Sequence, residues 1–268
     1  MTDTSDLNLF RHLGLLARHH ELLFQMMRRE LSSRYRQTFL GTAWAFIKPA
    51  ATVAIFTIVF SGLAKIPSDR VPYPLFLMAG LLPWSLFSTA VASGVSSLTG
   101  QSNLVAKIYF PREILPFASV AASALDSFIA LLFLIGLMIH FGVGPTWNVL
   151  YAVPVLMIEI LLMLGVTLFF SLANVWYRDT AHAAGLLLQL WMYLTPVLYP
   201  LDLVPGTARR MMGLNPMAGI VEGFRSAVIM GVPPEPGLLA WSFGASLIIF
   251  LAGYGVFKHF EFRLADVI

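Results

Sequence analysis

The chain has 268 residues, of which 58% are hydrophobic and 12% are charged, and its formal net charge is +3 at neutral pH. Soluble domains carry roughly 25% charged residues, so the composition argues against a soluble protein and favours a membrane protein. Cysteine is absent, which excludes disulfides, thiolate metal sites and a cysteine nucleophile.

The N-terminal part is predicted to be an amphipathic segment on the cytoplasmic side of a membrane. Residues 7–27 mix leucine and methionine with histidine and arginine, which fits a helix lying along the interface. The first forty residues lack the pattern of a cleaved signal peptide. We therefore expect residues 1–36 to stay in the cytoplasm.

A cluster of basic residues ends this segment, with four arginines in nine positions: Arg28, Arg29, Arg34 and Arg36. Because they lead directly into an apolar run, they are better placed to fix topology or contact anionic headgroups than to bind nucleic acid. The basic net charge is therefore interpreted as a sign of contact with the membrane and not with nucleic acid.

Long apolar runs predict the membrane spans. Each of four runs without Asp, Glu, Lys or Arg reaches the roughly 20 residues that cross a bilayer as a helix: 71–106, 127–158, 180–201 and 236–257. Another apolar run begins near Lys48, which can extend to the headgroups, and Pro49, which fits a first helical turn. With prolines and charged loops as boundaries, six spans are predicted, at 46–64, 74–98, 114–140, 148–172, 183–200 and 237–257.

Residues 201–235 do not fit this pattern. The stretch "NPMAGIVEGFRSAVIMG" is typical of a helix, but about 15 residues rise only about 22 Å, against about 30 Å of hydrocarbon. Glu222 and Arg225 stand one turn apart within it and can pair. We expect a re-entrant or interfacial segment on the external side, followed by the last span.

The placement of basic residues supports six spans with both termini in the cytoplasm. The predicted cytoplasmic parts hold 12 of the 17 Lys and Arg residues and the external parts hold five, as the positive-inside rule expects. A seventh span through 215–231 would instead put Glu222 and Arg225 at mid-bilayer, at about 2.5 kcal/mol or more for each ion. With no internal repeat or linker, the whole chain (1–268) is predicted to be a single membrane domain.

Residue patterns for catalysis and metal binding are missing. No Gly-Lys pair occurs, so the chain lacks the phosphate-binding GxxxxGK[ST] loop and cannot hydrolyse ATP by that route. Asp-x-Asp and Gly-x-Ser-x-Gly are absent as well. His20 and Glu21 begin like a zinc-protease helix, but Phe24 stands where the second histidine is needed. We therefore predict no catalytic residue, metal or cofactor in this chain.

Carboxylates and aromatic side chains within the predicted spans allow two interpretations. Asp126 and Glu159 are costly in hydrocarbon, so each is either a functional group or a hydrogen-bonded packing residue near a helix end. Aromatic rings near span ends normally form interfacial belts, but several could line an inner pathway and stack on sugars. These channel candidates are Trp44, Tyr73, Trp84, Phe87, Trp191, Tyr193 and Tyr199.

Four stretches of the chain carry a resemblance to a known family. "RRELSSRYRQTFLGTAWAFIKP" leads into the first span, and "VAKIYFPREILP" and "VWYRDTAH" are cytoplasmic connections. "YLTPVLYPLDLVP" and "LNPMAGIVEGFR" cover the end of the fifth span and the external segment. Together they resemble the membrane subunit of bacterial polysaccharide ABC exporters, the type-2 permeases for O-antigen and teichoic acid.

This resemblance implies a permease in the bacterial inner membrane, in which two copies form the pathway for a lipid-linked polysaccharide. Two separate subunits would bind ATP and Mg and dock below, which agrees with the missing phosphate-binding loop. They would drive the spans through the loop at 102–113, with coupling residues Lys107, Tyr109, Phe110, Arg112 and Glu113. The short helices within 201–235 would form an external gate, whose geometry is set by Asn215, Pro216, Glu222 and Arg225.

A lipid-linked substrate also gives the basic cluster a second possible role. Guanidinium groups pair with phosphate through two hydrogen bonds, so Arg28, Arg29, Arg34 and Arg36 are candidates for binding a lipid phosphate. Topology control with headgroup contact remains the alternative.

Other functions stay open at this point. An ion-coupled secondary transporter would use Asp126 or Glu159 and need no ATPase, although the repeats common in such proteins are not evident. An integral-membrane lipid enzyme would need a catalytic cluster that is missing. Among polysaccharide exporters, "KIYFPREILP" favours O-antigen over capsule or teichoic acid.

Overall fold

The computed structural model describes residues 19–35, 41–63, 71–107 and 110–264. Within these ranges the regular elements are all helical and no strand occurs. The fold is therefore that of an all-α membrane protein, as predicted. The α-helices are α1 His20–Tyr35, α2 Trp44–Phe56, α3 Tyr73–Val95, α4 Ser102–Lys107, α5 Ile114–His140, α6 Ala152–Trp176, α7 Thr180–Tyr193, α8 Gly206–Gly213, α9 Pro216–Arg225 and α10 Pro236–Phe260.

Long apolar helices form the body of the protein. Among the described residues, four segments are long and apolar enough to cross a membrane: Tyr73–Val95, Ile114–His140, Trp147–Trp176 and Pro236–Arg263. They coincide with four of the six predicted spans, and α5 has the predicted bounds. Large apolar side chains on their outer faces are exposed, such as Ile139 at 76% and Ile248 at 68%. Such a surface is stable in lipid rather than in water.

The first predicted span corresponds to a helix of mixed geometry. α2 has 13 residues, with Pro49 in its second turn, and a seven-residue π-helical stretch, Thr57–Leu63, follows without a break. The outward side chains Ile55 and Ile58 are more than half exposed. This helix therefore presents much of its apolar surface to the surroundings instead of to the protein.

The fifth predicted span is represented by a shorter helix. α7 has 14 residues, or about 21 Å, and ends at Tyr193, seven residues before the predicted end of the span. Pro196 accounts for this end, because proline lacks a backbone N–H and disfavours helical geometry at the residue before it, Thr195.

Two short helices lie between α7 and α10, as expected for residues 201–235. α9 begins at Pro216 behind Asn215, whose side-chain oxygen accepts a hydrogen bond from the amide of Met217 at 3.0 Å. It continues as a π-helical turn, Ser226–Met230, and ends at Gly231 with φ of +66°. The stretch predicted to be helical is therefore helical throughout.

Two glycines bring α6 and α10 into backbone contact. A Cβ atom on Gly165 would lie 2.6 Å from Cα of Phe250, and one on Gly253 would lie 2.4 Å from the carbonyl oxygen of Gly165. Any side chain here would separate the helices, as expected for close packing through small residues in membranes.

A second, smaller apolar cluster lies at the end of the molecule formed by α4 and the start of α5. It contains Phe110, Phe257 and Leu264, and side chains of α1 pack against it, including Leu22 and Met26. α1 is thus held to the body of the protein by apolar contacts, on the side predicted to be cytoplasmic.

Candidate functional site

Arg225 is the central residue of the segment 201–235, which is predicted to be external. It is fully buried, and its guanidinium donates to the carbonyl oxygens of Phe76 on α3 and of Pro196 and Val197 after α7. It also pairs with Glu222 at 2.9 Å, as predicted from their spacing, and lies 3.8 Å from the centre of the Phe76 ring. One side chain therefore joins α9, α3 and the chain after α7.

This cation is stable in the interior because its environment is rich in acceptors. Burial lowers the pKa of Arg225, and Glu222 opposes that change. Burial likewise raises the pKa of Glu222, against the effect of Arg225. Three carbonyl oxygens also accept hydrogen bonds from the guanidinium, and hydrogen bonds from a charged donor are the stronger ones.

Asn215 joins the start of α9 to the end of α7. Its side-chain oxygen accepts from Trp191 Nε1 at 2.8 Å as well as from Met217, and its amide donates to the carbonyl of Leu194 and to the hydroxyl of Thr195. The predicted gate residues are thus brought together by hydrogen bonds with α7 and α3.

The aromatic channel candidates divide into buried and exposed groups. Tyr73, Trp84 and Phe87 are buried on α3, and Phe87 meets the Trp191 ring edge-on at 5.0 Å. The Tyr73 hydroxyl donates to the carbonyl of Leu198.

Of the remaining four candidates, Trp191 and Tyr199 are half-buried and two have exposed rings. Trp44 is 41% and Tyr193 is 53% exposed. Tyr199 donates its hydroxyl to the carbonyl of Tyr193 at 2.8 Å. Within one copy of the chain, Trp44 and Tyr193 are therefore the candidates most accessible to a ligand.

The predicted coupling loop is tied to the C-terminal end of α10. Lys258 pairs with Glu113 at 2.6 Å and with Glu261 at 2.8 Å. Arg112 donates through its amide to Oε1 of Glu261 and through its guanidinium to the carbonyl of the same residue. We call these four residues the cytoplasmic network, after the side on which the loop is predicted to lie.

The remaining loop candidates have different environments. Phe110 is buried in the smaller apolar cluster, whereas Lys107 is exposed at the end of α4. Tyr109 lies outside the described residues. The loop therefore directs Phe110, Arg112 and Glu113 inward and Lys107 outward.

Burial controls the electrostatics of this network. Glu113 is almost inaccessible, and its burial raises its pKa, with a smaller contribution from Glu261 and opposition from Lys258. Sequence reasoning missed Lys258 and Glu261 as partners of the loop. Their spacing of three on one helix was visible, but pairing with a residue 145 positions earlier has no local signal.

The arginines of α1 have unequal environments. Arg28 and Arg29 are exposed. Arg34 is half-buried and binds Asp126 at 2.7 Å and Glu30 at 3.3 Å, and it donates to the hydroxyls of Ser93 and Ser123. Arg36 lies outside the described residues. Arg34 is therefore occupied by protein groups, which leaves few of its donors for a phosphate.

The two intramembrane carboxylates also differ. Asp126 is the ion-pair partner of Arg34. Glu159 is fully buried within α6, and in the described part of the chain neither of its oxygens has a hydrogen-bond partner. The same described residues contain no group of three potential metal ligands.

Comparison with known proteins assigns the chain to a family. The model of the ABC-2 type transporter family matches residues 21–229. The chain is 30% identical to an O-antigen export system permease protein, RfbA, of Myxococcus xanthus, over 94% of this chain and 97% of the relative.

Two further relatives share most of their length with this chain. The O-antigen export system permease protein RfbA of Klebsiella pneumoniae is 24% identical over 92% of this chain and 95% of the relative. The polysialic acid transport protein KpsM of Escherichia coli is 23% identical over 86% and 90%. On the extent of the family match and of these similarities, the chain belongs to the ABC-2 type transporter family.

Proposed function

We propose that this chain is the permease subunit of an ATP-driven exporter of lipid-linked polysaccharide, with O-antigen as the transported class. The observation that carries the proposal is the 30% identity to an O-antigen export permease over almost the full length of both chains. Because the phosphate-binding loop is missing, ATP and Mg would be bound by a separate subunit. Two copies of the chain and two ATPase subunits would form the complex, in the bacterial inner membrane with both termini cytoplasmic.

The cytoplasmic network supports a route from the ATPase to the spans. A partner that pushes on the loop at 102–113 would meet Lys107 at its surface, while Arg112 and Glu113 are bound to the end of α10. α10 in turn is in backbone contact with α6. The free energy of ATP hydrolysis would therefore reach the spans through contacts between the ATPase and this loop. No chemical step is required of this chain.

The external segment is suited to act as the gate. α8 and α9 are too short to span a bilayer, and Arg225 and Asn215 attach α9 to α3 and to the end of α7. A displacement of α7 or α3 would therefore change the position of the gate. Deleting residues 215–230 should cause leak or abolish transport, and wild-type transport without leak would reject this role.

The test is reconstitution with the ATPase encoded next to the permease. We expect the two proteins to co-purify and lipid-linked O-antigen to stimulate ATP hydrolysis and export in proteoliposomes. Acidic capsule glycans form a second arm, because one relative is named a polysialic acid transport protein. Export that depends on an ion gradient and proceeds without the ATPase would contradict the proposal.

A further inference from the structure

A cavity of about 690 Å³ lies beside the first predicted span. Residues of α2, α3 and α5 line it, together with Arg34 of α1. Ligand sites commonly have volumes of about 300–1,000 Å³, so the space is large enough for a headgroup.

The polarity of the cavity changes along its length. Met78 and Leu81 on α3 and Ala130 on α5 line its apolar end. Further along the same helices, Thr89 and Ser123 line the end next to Arg34. Both apolar and polar side chains therefore line the cavity, as binding of an amphiphile requires.

Lys48 is the cation that remains for a ligand. Three charged side chains line the cavity, and two of them, Arg34 and Asp126, bind each other at 2.7 Å. Among the described residues, no carboxylate lies within ion-pair distance of Lys48, and its side chain is exposed. One turn earlier on the same face of α2, Trp44 contributes an exposed indole.

These observations point to an anion as the polar group of the ligand. An ammonium group carries three N–H donors and binds phosphate as a compact charge. We propose that the cavity binds the phosphate group of a single-chain or two-chain lipid, with Lys48 as the principal contact and Trp44 beside it. In this cavity the proposed phosphate contact is therefore Lys48 and not Arg34.

The origin of the lipid is a separate question from the binding. Membrane phospholipids and the prenyl phosphate that carries a glycan share the phosphate group. Identification with the transported lipid rests on the proposed function, whereas binding at Lys48 does not.

The experiment uses the full chain in phosphatidylcholine nanodiscs and measures the affinity for farnesyl phosphate. We expect Lys48→Gln to weaken binding about tenfold or more, because one charged contact is lost, and Lys48→Arg to retain most of it. Lys107→Gln is the matched control, since Lys107 is an exposed lysine outside the cavity. Farnesol has the same prenyl chain without the phosphate, so it should bind wild type and Lys48→Gln with equal affinity.

A second variant and a competing lipid complete the test. Ser127→Leu should weaken farnesyl phosphate binding by narrowing the cavity while Lys48 is retained, which covers the case that Lys48→Gln does not fold. Competition by dioleoylphosphatidic acid as strong as by farnesyl phosphate would support a membrane-lipid site, and selective binding of farnesyl phosphate would support the carrier class. Unchanged binding in Lys48→Gln, or an equal loss in Lys107→Gln, would overturn the proposal. Export is measured separately in cells: a wild-type chain that binds through Lys48 and exports nothing would refute the proposed function and leave this site intact.

Discussion

Lys258, at the end of the last long helix, binds Glu113, at the start of α5, with 2.6 Å between Nζ and Oε1. The contact joins two parts of the chain that are far apart in sequence, and it buries the carboxyl group almost completely. The cytoplasmic network is therefore a place where protonation and packing affect each other.

Replacing Glu113 with Gln should make stability less dependent on pH. Burial raises the pKa of Glu113 above its ordinary value of 4.5, so the folded state holds this proton more tightly than the unfolded state does. The resulting stability is full below about pH 4.5 and is lost as pH rises through the raised pKa. We expect the melting temperature of Glu113→Gln, relative to wild type, to increase between pH 4.5 and 7.5.

The measurement is thermal unfolding of both proteins in detergent over this range. Glu30→Gln is a control, because Glu30 is a glutamate on α1 outside the network. A difference between Glu113→Gln and wild type that is constant with pH would show that Lys258 offsets burial, and one that falls would show that Lys258 outweighs it.

Replacing Gly80 with Ala should destabilise the protein through Arg225. A Cβ atom at Gly80 would lie 2.2 Å from Nη2 of Arg225 and 3.0 Å from the carbonyl oxygen of Val197. The guanidinium cannot withdraw without losing its acceptors, so we expect a loss of about 1–3 kcal/mol. Gly136→Ala is the matched control, because nothing lies within 4 Å of its Cβ position, and it should stabilise by about 0.5–1 kcal/mol. Equal stability of the two variants in unfolding assays would contradict the prediction.

Replacing Glu159 with Gln should leave stability and transport nearly unchanged. Since both oxygens are buried and have no partner among the described residues, a neutral carboxylic acid is far less costly there than a carboxylate. An amide of the same shape keeps that neutral state. Glu159→Lys serves as the contrast and should impair assembly, by about 2.5–3.5 kcal/mol on insertion scales. Loss of transport in Glu159→Gln, measured in proteoliposomes, would instead indicate that this carboxyl group carries an ion.

Replacing Arg34 with Gln should destabilise the attachment of α1 to α5. Arg34 and Asp126 are 16% and 17% exposed and lie 2.7 Å apart, so breaking the pair should cost about 1–3 kcal/mol, below the value for a fully buried pair. Arg28→Gln, on the exposed side of α1, should change stability by less than about 0.5 kcal/mol. A double-mutant cycle with Asp126→Asn measures the coupling directly. A coupling near zero would mean that the pair does not hold α1.

The sequence was sufficient where structure is determined locally. Apolar runs, together with the prolines and charged loops that bound them, located the four long helices, and the spacing of Glu222 and Arg225 predicted their pairing. Pro196 explains why α7 ends near Tyr193. The path of the chain after this end is set by hydrogen bonds from Asn215 to Thr195 and from Arg225 to the carbonyl of Pro196. These hydrogen bonds join residues that are distant in sequence, so the local residue pattern does not predict them.

Contacts between distant residues were beyond sequence reasoning for a physical reason. Arg34 and Asp126 are 92 positions apart, and each had an acceptable alternative environment: headgroups for the arginine, and a packing position near a helix end for the carboxylate. Lys258 had an equally acceptable role as a topology signal. The ion-pair partners of Arg34, Asp126 and Lys258 are determined by how α1, α5 and α10 pack together.

The backbone contact at Gly165 and Gly253 has a mechanical consequence. Two helices that touch through their main chains have no intervening side chains to repack, so we expect α6 and α10 to move together. Lys258 lies near one end of α10, and Pro236, at the other end, begins the part of α10 that packs against α9. On the proposed function, a displacement of the loop at Lys258 would therefore be transmitted along about 37 Å of helix to α9.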